Sequence, residues 1–263
     1  MRVFWEIGKR SFQRHLAYRG AALAGLATNF FFGLLRAALL TAFYGARPEV
    51  AGLTLQDAVT FTGISQAVIA PLSMFGWYEL MRSVHSGEVA ADLIRPVSTY
   101  GYWLARDAGR AAAGFLWRSV TILAAYALLF DLTWPRGALG WAAVGLAWVL
   151  AWLVSFSWRF ISNLAAFWSP QALGIVRLFF LLNWFLSGFL MPLRYLPEPF
   201  VRFCYLTPFP YTVDAVVEAW LGRGDPAALA GILVAQAAWA AALWLIAQLV
   251  LRAGVRRLVI QGG

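Results

Sequence analysis

The feature that most constrains this chain is a series of apolar runs long enough to cross a lipid bilayer, which takes about 20 helical residues. Of the 263 residues 62% are hydrophobic, and the 21 Lys or Arg and 12 Asp or Glu are too few to cover a water-soluble domain of this size. Backbone groups in lipid must be satisfied within the segment, so each run is predicted as a helix. We therefore predict an all-α integral membrane protein, a single transmembrane domain over residues 1–263, with six spans at about 22–44, 57–80, 111–131, 137–168, 170–191 and 226–250.

The positions of the basic residues predict which side of the membrane each loop faces, because short cytoplasmic loops carry an excess of Arg and Lys. Fifteen basic residues fall on one side of the six predicted spans and five on the other. This asymmetry places both termini in the cytoplasm, together with the loop between the second and third spans. The net charge of +9 is explained by the same pattern, and no basic patch with interleaved aromatics suggests a nucleic-acid partner.

A short charged segment, SGEVAADLIRPVS (residues 86–98), interrupts the apolar sequence between the second and third spans. Ser86 has the side chain of an N-cap and Pro96 disfavours a helical residue before it, which predicts a helix of about two turns over residues 87–94. Its apolar residues, Ile94 among them, are expected on one side, and Glu88 and Asp92 on another. The residues alone leave two interpretations open: a helix resting on lipid headgroups, or a docking site for a partner.

A second unusual segment, PFVRFCYLTPFPY (residues 199–211), follows the fifth predicted span. Five prolines between residues 192 and 210 exclude one continuous helix, yet the segment is too apolar for an ordinary exposed loop. Broken backbone at a membrane face is tolerated where it packs on protein or lines a cavity. We predict short re-entrant or interfacial helices near the outer face, which either gate the exit of a transport path or form a structural cap.

One charge is predicted deep inside the bilayer. Arg36 lies about 20 Å into the first span by helical rise, too far from the cytoplasm to reach it. Such a charge needs a partner, and Asp57 and Asp131 are the two candidates. A structural ion pair and a substrate contact both remain open. Arg118 and Arg177 lie only about 10 Å from the cytoplasmic side and are expected to extend toward it.

Sequence signs of a catalytic or nucleotide-binding site are missing. The only lysine, Lys9, lacks the glycine spacing of a phosphate-binding loop, since Val3 stands where the first glycine belongs. His15 and His85 have no His or Cys at ligand spacing, so no metal site is expected. The basic, partly apolar N-terminal segment 2–19 is expected to lie along the inner headgroups. We expect neither enzyme activity nor a cofactor in this chain.

The order of these features resembles the ABC-2 type permeases, the transmembrane subunits of ATP-binding-cassette (ABC) exporters. A family pattern that follows the second span is similar to Ser86-Gly87-Glu88-Val89 and, three residues later, to Leu93-Ile94-Arg95-Pro96-Val97-Ser98. The family's small-Gly stretch with spaced prolines is similar to residues 187–220, SGFLMPLRYLPEPFVRFCYLTPFPYTVDAVVEAW. With six predicted spans in about 260 residues, the resemblance covers essentially the full chain.

The resemblance implies roles for both unusual segments. In this family the first cytoplasmic loop carries a coupling helix that docks on a separate ATPase, here Ser86, Gly87, Glu88, Val89, Asp92, Leu93, Arg95 and Pro96. The outer short helices would form the extracellular gate, with Gly188, Pro192, Pro197, Phe203, Pro208 and Tyr211. The resemblance also implies that ATP and Mg are bound by the partner ATPase. The resemblance further implies a second permease, identical or related, as a partner. It places the chain in the lipid of the cell (cytoplasmic or inner) membrane.

Two classes of function follow from the sequence. The first is a permease subunit of an ABC exporter that moves an amphipathic or hydrophobic compound, such as a drug, antibiotic, lipid or peptide, out of the cytoplasm. The second is an ATP-independent transporter or a membrane assembly factor. Ion-coupled transport typically uses carboxylates near the bilayer midplane, and no Asp or Glu is predicted clearly in mid-span. This favours the first class.

Overall fold

The computed structural model describes residues 2–17, 19–223 and 225–257, apart from the side chains of residues 19, 21 and 22. Most of these residues are helical, and the only strands among them form a short antiparallel hairpin, β1 (Glu49–Val50) and β2 (Leu53–Thr54). The prediction of an all-α membrane protein is confirmed.

Four helices in the described ranges have the length and apolar composition to cross a bilayer. They are α2 (Arg19–Tyr44), α9 (Gly137–Leu164), α13 (Pro226–Val255) and one composite helix. The composite helix consists of α7 (Thr99–Gly114), a π-helical turn (Phe115–Ser119) and α8 (Val120–Leu129). A shorter apolar helix, α10 (Ala172–Leu186), has 15 residues. The predicted spans at 22–44, 137–168 and 226–250 each correspond to one of these helices.

The second predicted span, 57–80, is wrong as one continuous helix. The structure has α3 (Leu55–Ala67) and one turn of α4 (Ile69–Leu72), after which the chain leaves the helical conformation until α5 (Glu79–His85). Ser73, in the left-handed region with φ of 51°, ends the helical part.

Pro71 explains the break. A proline has no N–H to donate to the carbonyl four residues earlier, which here belongs to Ala67. Ser119 in the π-helical turn donates its hydroxyl to that carbonyl instead, at 2.6 Å. The freed backbone group is therefore satisfied from a neighbouring helix, as buried backbone in a membrane protein requires.

Two other helix ends also differ from the predicted ends. The helix predicted from residue 111 begins at Thr99, where Ser98 caps it by accepting from the Gly101 N–H at 3.2 Å. The span predicted from residue 170 begins at Ala172, because Ser169 caps the preceding turn by accepting from the Gln171 N–H. The span predicted from residue 226 does begin at Pro226, with the Asp225 carboxylate accepting from the Ala227 N–H at 3.3 Å.

The N-terminal helix α1 (Arg2–Ala17) packs along α7. Gly109 makes this possible, because a Cβ on it would lie 2.0 Å from the carbonyl oxygen of Gly8. Ser11 is buried in the contact and donates its hydroxyl to the Arg106 carbonyl at 2.7 Å. Trp5 remains 71% exposed. The amphipathic segment predicted to lie on headgroups is thus a helix attached to the bundle through one face.

Helix α9 runs through the core, and its two halves contact different segments, which define two ends of the bundle. At its C-terminal end Asn163 bonds the segment around α5, and we call this the loop end. In the N-terminal half of α9, the Ala147 carbonyl accepts from the Gln236 side chain, which also donates to the Tyr211 carbonyl. We call this end of the bundle the proline end. The short helices α5 and α6 (Val89–Leu93) lie at the loop end, and α11 (Glu198–Tyr205) and α12 (Asp214–Leu221) at the proline end.

Candidate functional site

The charged loop, residues 79–98, contains α5 and α6 separated by a tight turn. Ser86, Gly87 and Glu88 in that turn are all exposed, and Gly87 adopts a φ of 78°. Helix α6 is shorter than the predicted 87–94, and it begins after Glu88 without a side-chain cap. The predicted capping role of Ser86 is wrong, because its hydroxyl accepts only the Glu88 N–H, at 3.5 Å, within the turn.

The two faces predicted for the coupling helix are rearranged in the structure. Val89 is buried as expected and Leu93 is half-buried, but Ile94, predicted on the same side, is 85% exposed. Asp92, predicted beside Glu88 on an open face, is buried and lies 3.4 Å from the Arg95 guanidinium. Ile94 keeps a helical backbone and donates its N–H to the Ala90 carbonyl at 3.3 Å, so the helical spacing still holds. At about 100° per residue, Ile94 lies about 140° around the axis from Val89, and the buried side of the helix is the one that Val89 and Asp92 share.

The buried carboxylate of Asp92 is paired with the guanidinium of its neighbour Arg95. The Arg95 guanidinium lies over the Tyr102 ring of α7, 4.3 Å from the ring centroid, and holds the carboxylate beside it. Burial raises the pKa of Asp92 and Arg95 opposes the rise. Pro96 is exposed beside Arg95. The loop therefore presents Gly87, Glu88, Ile94 and Pro96 to the outside.

The rest of the charged loop is firmly attached to the bundle. Glu79 pairs with Arg106 of α7 at 2.7 Å and lies 4.0 Å from Arg14 of α1. Asn163 of α9 accepts from the Met81 N–H at 3.1 Å and donates to the Trp77 carbonyl at 3.0 Å. The loop thus contacts α1, α7 and α9 through polar bonds.

The broken end of α4 is satisfied by side chains from three other helices. Arg110 of α7 donates to the Ala70 and Pro71 carbonyls at 2.7 and 2.8 Å. Ser155 of α9 donates to the Leu72 carbonyl, and Trp184 of α10 donates to the Met74 carbonyl. Sequence analysis missed this arrangement, although Pro71 inside an apolar run was a signal for it.

A fully buried ion pair lies next to this broken helix. Asp107 of α7 accepts from both terminal nitrogens of the Arg159 guanidinium, at 3.2 and 3.0 Å, and from Arg110 at 2.7 Å. The indole N–H of Trp152 completes the shell at 2.8 Å. The sequence analysis did not single out Asp107, and it counted Arg159 only among the basic residues of the cytoplasmic side.

The proline segment, residues 187–213, forms α11 flanked by irregular backbone. Of its predicted gate residues, Gly188, Pro192 and Tyr211 are buried and Pro208 is half-buried, while Pro197 and Phe203 are exposed. The segment closes on itself where the Asp214 N–H donates to the Ser187 carbonyl at 3.1 Å. Short, broken helices are therefore present where the sequence predicted them.

The family of the chain is given by a sequence comparison. A family model described as "ABC-2 family transporter protein" matches residues 30–262. The chain belongs to the ABC-2 transporter family. No curated protein and no solved structure matches it. As an ABC-2 permease it is a membrane transport protein, and permeases of this family are typically noncatalytic transmembrane subunits that work with an ABC ATPase.

In this ABC-2 permease, Arg36 is partnered differently from the prediction. Its guanidinium donates to the Phe189 and Leu190 carbonyls, both at 2.6 Å, and to the Ser65 hydroxyl at 3.3 Å. Asp57 instead pairs with Arg223 at the proline end. The two acidic candidates are therefore wrong, and Arg36 caps the backbone that follows α10.

Further bonds fix the proline segment of the permease to its neighbours. Thr212 donates to the Asn183 side-chain oxygen at 3.1 Å, and Gln236 of α13 donates to the Tyr211 carbonyl at 2.9 Å. Tyr205 donates to the buried carboxylate of Asp214. Five of these six residues are buried and Tyr205 is half-buried, so the segment is part of the packed core.

Proposed function

We propose that this ABC-2 permease is the membrane subunit of an ATP-driven exporter and that its charged loop is where a separate ATPase subunit docks. The observation that carries the proposal is the exposed surface around Ile94. An 85% exposed isoleucine next to exposed Glu88 and Pro96, on a loop otherwise bonded to the bundle, has the form of a small apolar anchor with a polar rim.

The attachments of the loop support a coupling role. A docked subunit that pushes on α6 would act on α7 through Arg95 and Glu79, and on α9 through Asn163. Packed helices transmit displacement because protein interiors are dense and deform little. The broken end of α4, pinned by Arg110, would move with α7.

The orientation we propose has the loop end, with both termini, in the cytoplasm of a cell (cytoplasmic or inner) membrane. The fifteen-to-five distribution of basic residues supports it. In this arrangement α3 with α4, and α10, are the remaining two of six membrane segments, and the proline segment closes the outer end. Its buried Gly188 and Tyr211 make it a packed cap that opens only when the bundle rearranges.

The exporter would contain two permeases, identical or related, and two ATPase subunits that bind ATP and Mg. Its substrate would be an amphipathic or hydrophobic compound, because the spans are apolar. The alternative, an ATP-independent transporter or assembly factor, makes the opposite prediction about the partner.

The test is purification of the tagged chain in mild detergent from its native cell, followed by mass spectrometry. We expect an ATPase with a Walker motif to copurify with the wild-type chain. We also expect it with Leu206→Glu, a change at a 75% exposed residue of the proline segment, but not with Ile94→Glu. Recovery of the folded chain without an ATPase in repeated preparations would contradict the proposal.

A further inference from the structure

A cavity of about 510 Å³ opens at the loop end, between α1, the broken end of α4 and the π-helical turn after α7. Its polar lining comes from His15, Ser73, Tyr78, Arg110 and Arg118. The cavity has no carboxylate in its lining, although all twelve acidic residues of the chain lie in the described ranges. Its charge is therefore positive.

Arg118 is the decisive residue of this cavity. Its guanidinium makes a single hydrogen bond, from one terminal nitrogen to the Gly25 carbonyl at 3.1 Å. Its Nε is buried and has no acceptor among the described residues, and no carboxylate lies within 4.0 Å. Arg118 as a whole is half-buried, but a buried donor such as its Nε is costly without an acceptor. Arg36, by contrast, donates to three acceptors.

The neighbours of Arg118 add donors of the same kind. The hydroxyls of Ser73 and Tyr78 line the cavity and bond no other described residue, and both can donate. Arg110 adds a second positive charge, which is only partly neutralised because Asp107 is shared with Arg159. Two hydroxyls and an open guanidinium match the oxygens of a phosphate or carboxylate group.

The rim of the cavity is apolar and exposed. Phe75 is 57% exposed and Trp117 is 41% exposed, and both line the cavity. Gly25, the acceptor for Arg118, lies at the start of a membrane-spanning stretch that begins at Leu23. In the proposed orientation the guanidinium lies near the inner boundary of the hydrocarbon, with apolar side chains beside it.

We propose that this cavity binds the anionic headgroup of an amphiphile, with Arg118 as its main contact and the hydrocarbon chain leaving past Phe75 and Trp117. The anion could come from a membrane phospholipid or from a transported anionic amphiphile. The assignment of the cavity to the inner leaflet rests on the proposed orientation, but binding itself does not require the ATPase.

The test is native mass spectrometry of the detergent-purified full-length chain, titrated with phosphatidylglycerol or with phosphatidylcholine of identical acyl chains. We expect the wild-type chain to bind the anionic lipid about fivefold or more tightly than the zwitterionic one. Arg118→Gln should abolish the preference and Arg118→Lys should keep most of it. Arg177→Gln, which removes an exposed arginine outside the cavity, is the matched control and should bind like wild type.

An unchanged preference in Arg118→Gln, or none in the wild-type chain, would overturn the proposal. A competition on the wild-type chain covers the case in which Arg118→Gln does not fold. Dodecyl phosphate should displace phosphatidylglycerol, while inorganic phosphate at the same concentration should not. Equal displacement by both would overturn the role of the apolar rim.

An assay of ATP hydrolysis, with the permease reconstituted with its ATPase, distinguishes a transported amphiphile from a resident phospholipid as the source of the anion. Stimulation of ATP hydrolysis by dodecyl phosphate in the wild-type complex, absent in Arg118→Gln, assigns the site to a transported amphiphile. Retained binding without stimulation assigns it to a resident phospholipid. Failure of the chain to bind any ATPase would contradict the proposed function and leave the lipid titration intact, so the two failures are distinguishable.

Discussion

The charged loop and the proline segment each turn through a glycine with φ of 78°, and the surroundings of these two glycines differ completely. A Cβ on Gly87 would meet no atom within 4 Å. A Cβ on Gly188 would lie 3.2 Å from Leu193 and 3.3 Å from an Asp214 carboxylate oxygen. A glycine with the same φ therefore faces open space in the charged loop and packed side chains in the proline segment.

The difference indicates that the charged loop is a surface feature and that the proline segment is a structural element. The charged loop is bonded to the bundle through α5 but exposes Ile94 and Glu88. The proline segment buries Tyr211 and Gly188, and Arg36 of α2 and Gln236 of α13 donate to its backbone carbonyls. Substitutions at exposed residues of the loop should therefore impair coupling and spare folding, while substitutions at buried residues of the proline segment should impair folding first.

The largest effect is expected at Ile94. Ile94→Glu places a charge in the proposed apolar anchor, and burial of an unpaired charge in an interface is costly. We expect stimulation of ATP hydrolysis by the reconstituted permease to fall about tenfold or more, with an unchanged melting temperature. Leu206→Glu, at the proline end, should retain the stimulation. Equal losses in both variants would remove the distinction between the two ends.

The paired glycines give the next largest effect. Alanine in the left-handed region costs about 1–2 kcal/mol, so Gly87→Ala should destabilise the protein by about 1 kcal/mol. Gly188→Ala adds crowding against Leu193 and Asp214, and we expect about 2–4 kcal/mol in total. Thermal unfolding in detergent measures both. A loss for Gly87→Ala as large as that for Gly188→Ala would mean that the loop is also part of the packed core.

A smaller effect is expected at Glu88. Glu88→Arg reverses an exposed charge on the proposed rim, where charges affect association rates more than affinity. We expect a threefold or so weaker apparent affinity for the ATPase at low salt, about 0.7 kcal/mol. The loss should shrink in 0.5 M salt, since screening is stronger there. A salt-independent loss would indicate that Glu88 is buried in the interface.

The smallest effect is expected at Asp92 and depends on pH. Burial raises the pKa of Asp92 above that of the unfolded chain, so its contribution to stability is present at low pH and is lost as the pH rises through the raised value. Asp92→Asn should remove this decline, so that the variant gains stability relative to wild type between pH 4 and pH 7. Hydrogen exchange of the loop amides measures the change. A variant that loses stability at pH 7 would show that the Arg95 pair outweighs burial.

The sequence predicted the features that local chemistry determines. The capped start at Asp225-Pro226, the long apolar helices and the broken proline segment all follow from residue type and order. The charged loop was also located correctly, because Pro96 and the acidic residues mark it. The residues that line its exposed surface were not all predicted, because Ile94 was placed on the apolar side of α6, whereas the bundle buries the side that Val89 and Asp92 share.

Tertiary partners decided what the sequence could not. Charged residues at 106, 107 and 110 were taken as the edge of a span, yet the helix runs through them because Asp107 and Arg159 neutralise each other inside the bundle. The unwound chain after Leu72 depends on Arg110, Ser155 and Trp184, from three helices distant in sequence. No local pattern encodes such contacts, although Pro71 indicated where the helix could break.

Photocrosslinking at position 94 tests the central claim most directly. A photoreactive phenylalanine analogue at Ile94 of the full-length chain is irradiated in its native cell, and the same analogue at Leu206 serves as the control. The account predicts a covalent adduct between position 94 and an ABC ATPase, with none from position 206. Crosslinks from position 94 to lipid alone, in a cell that contains the ATPase, would contradict docking of the ATPase on the charged loop.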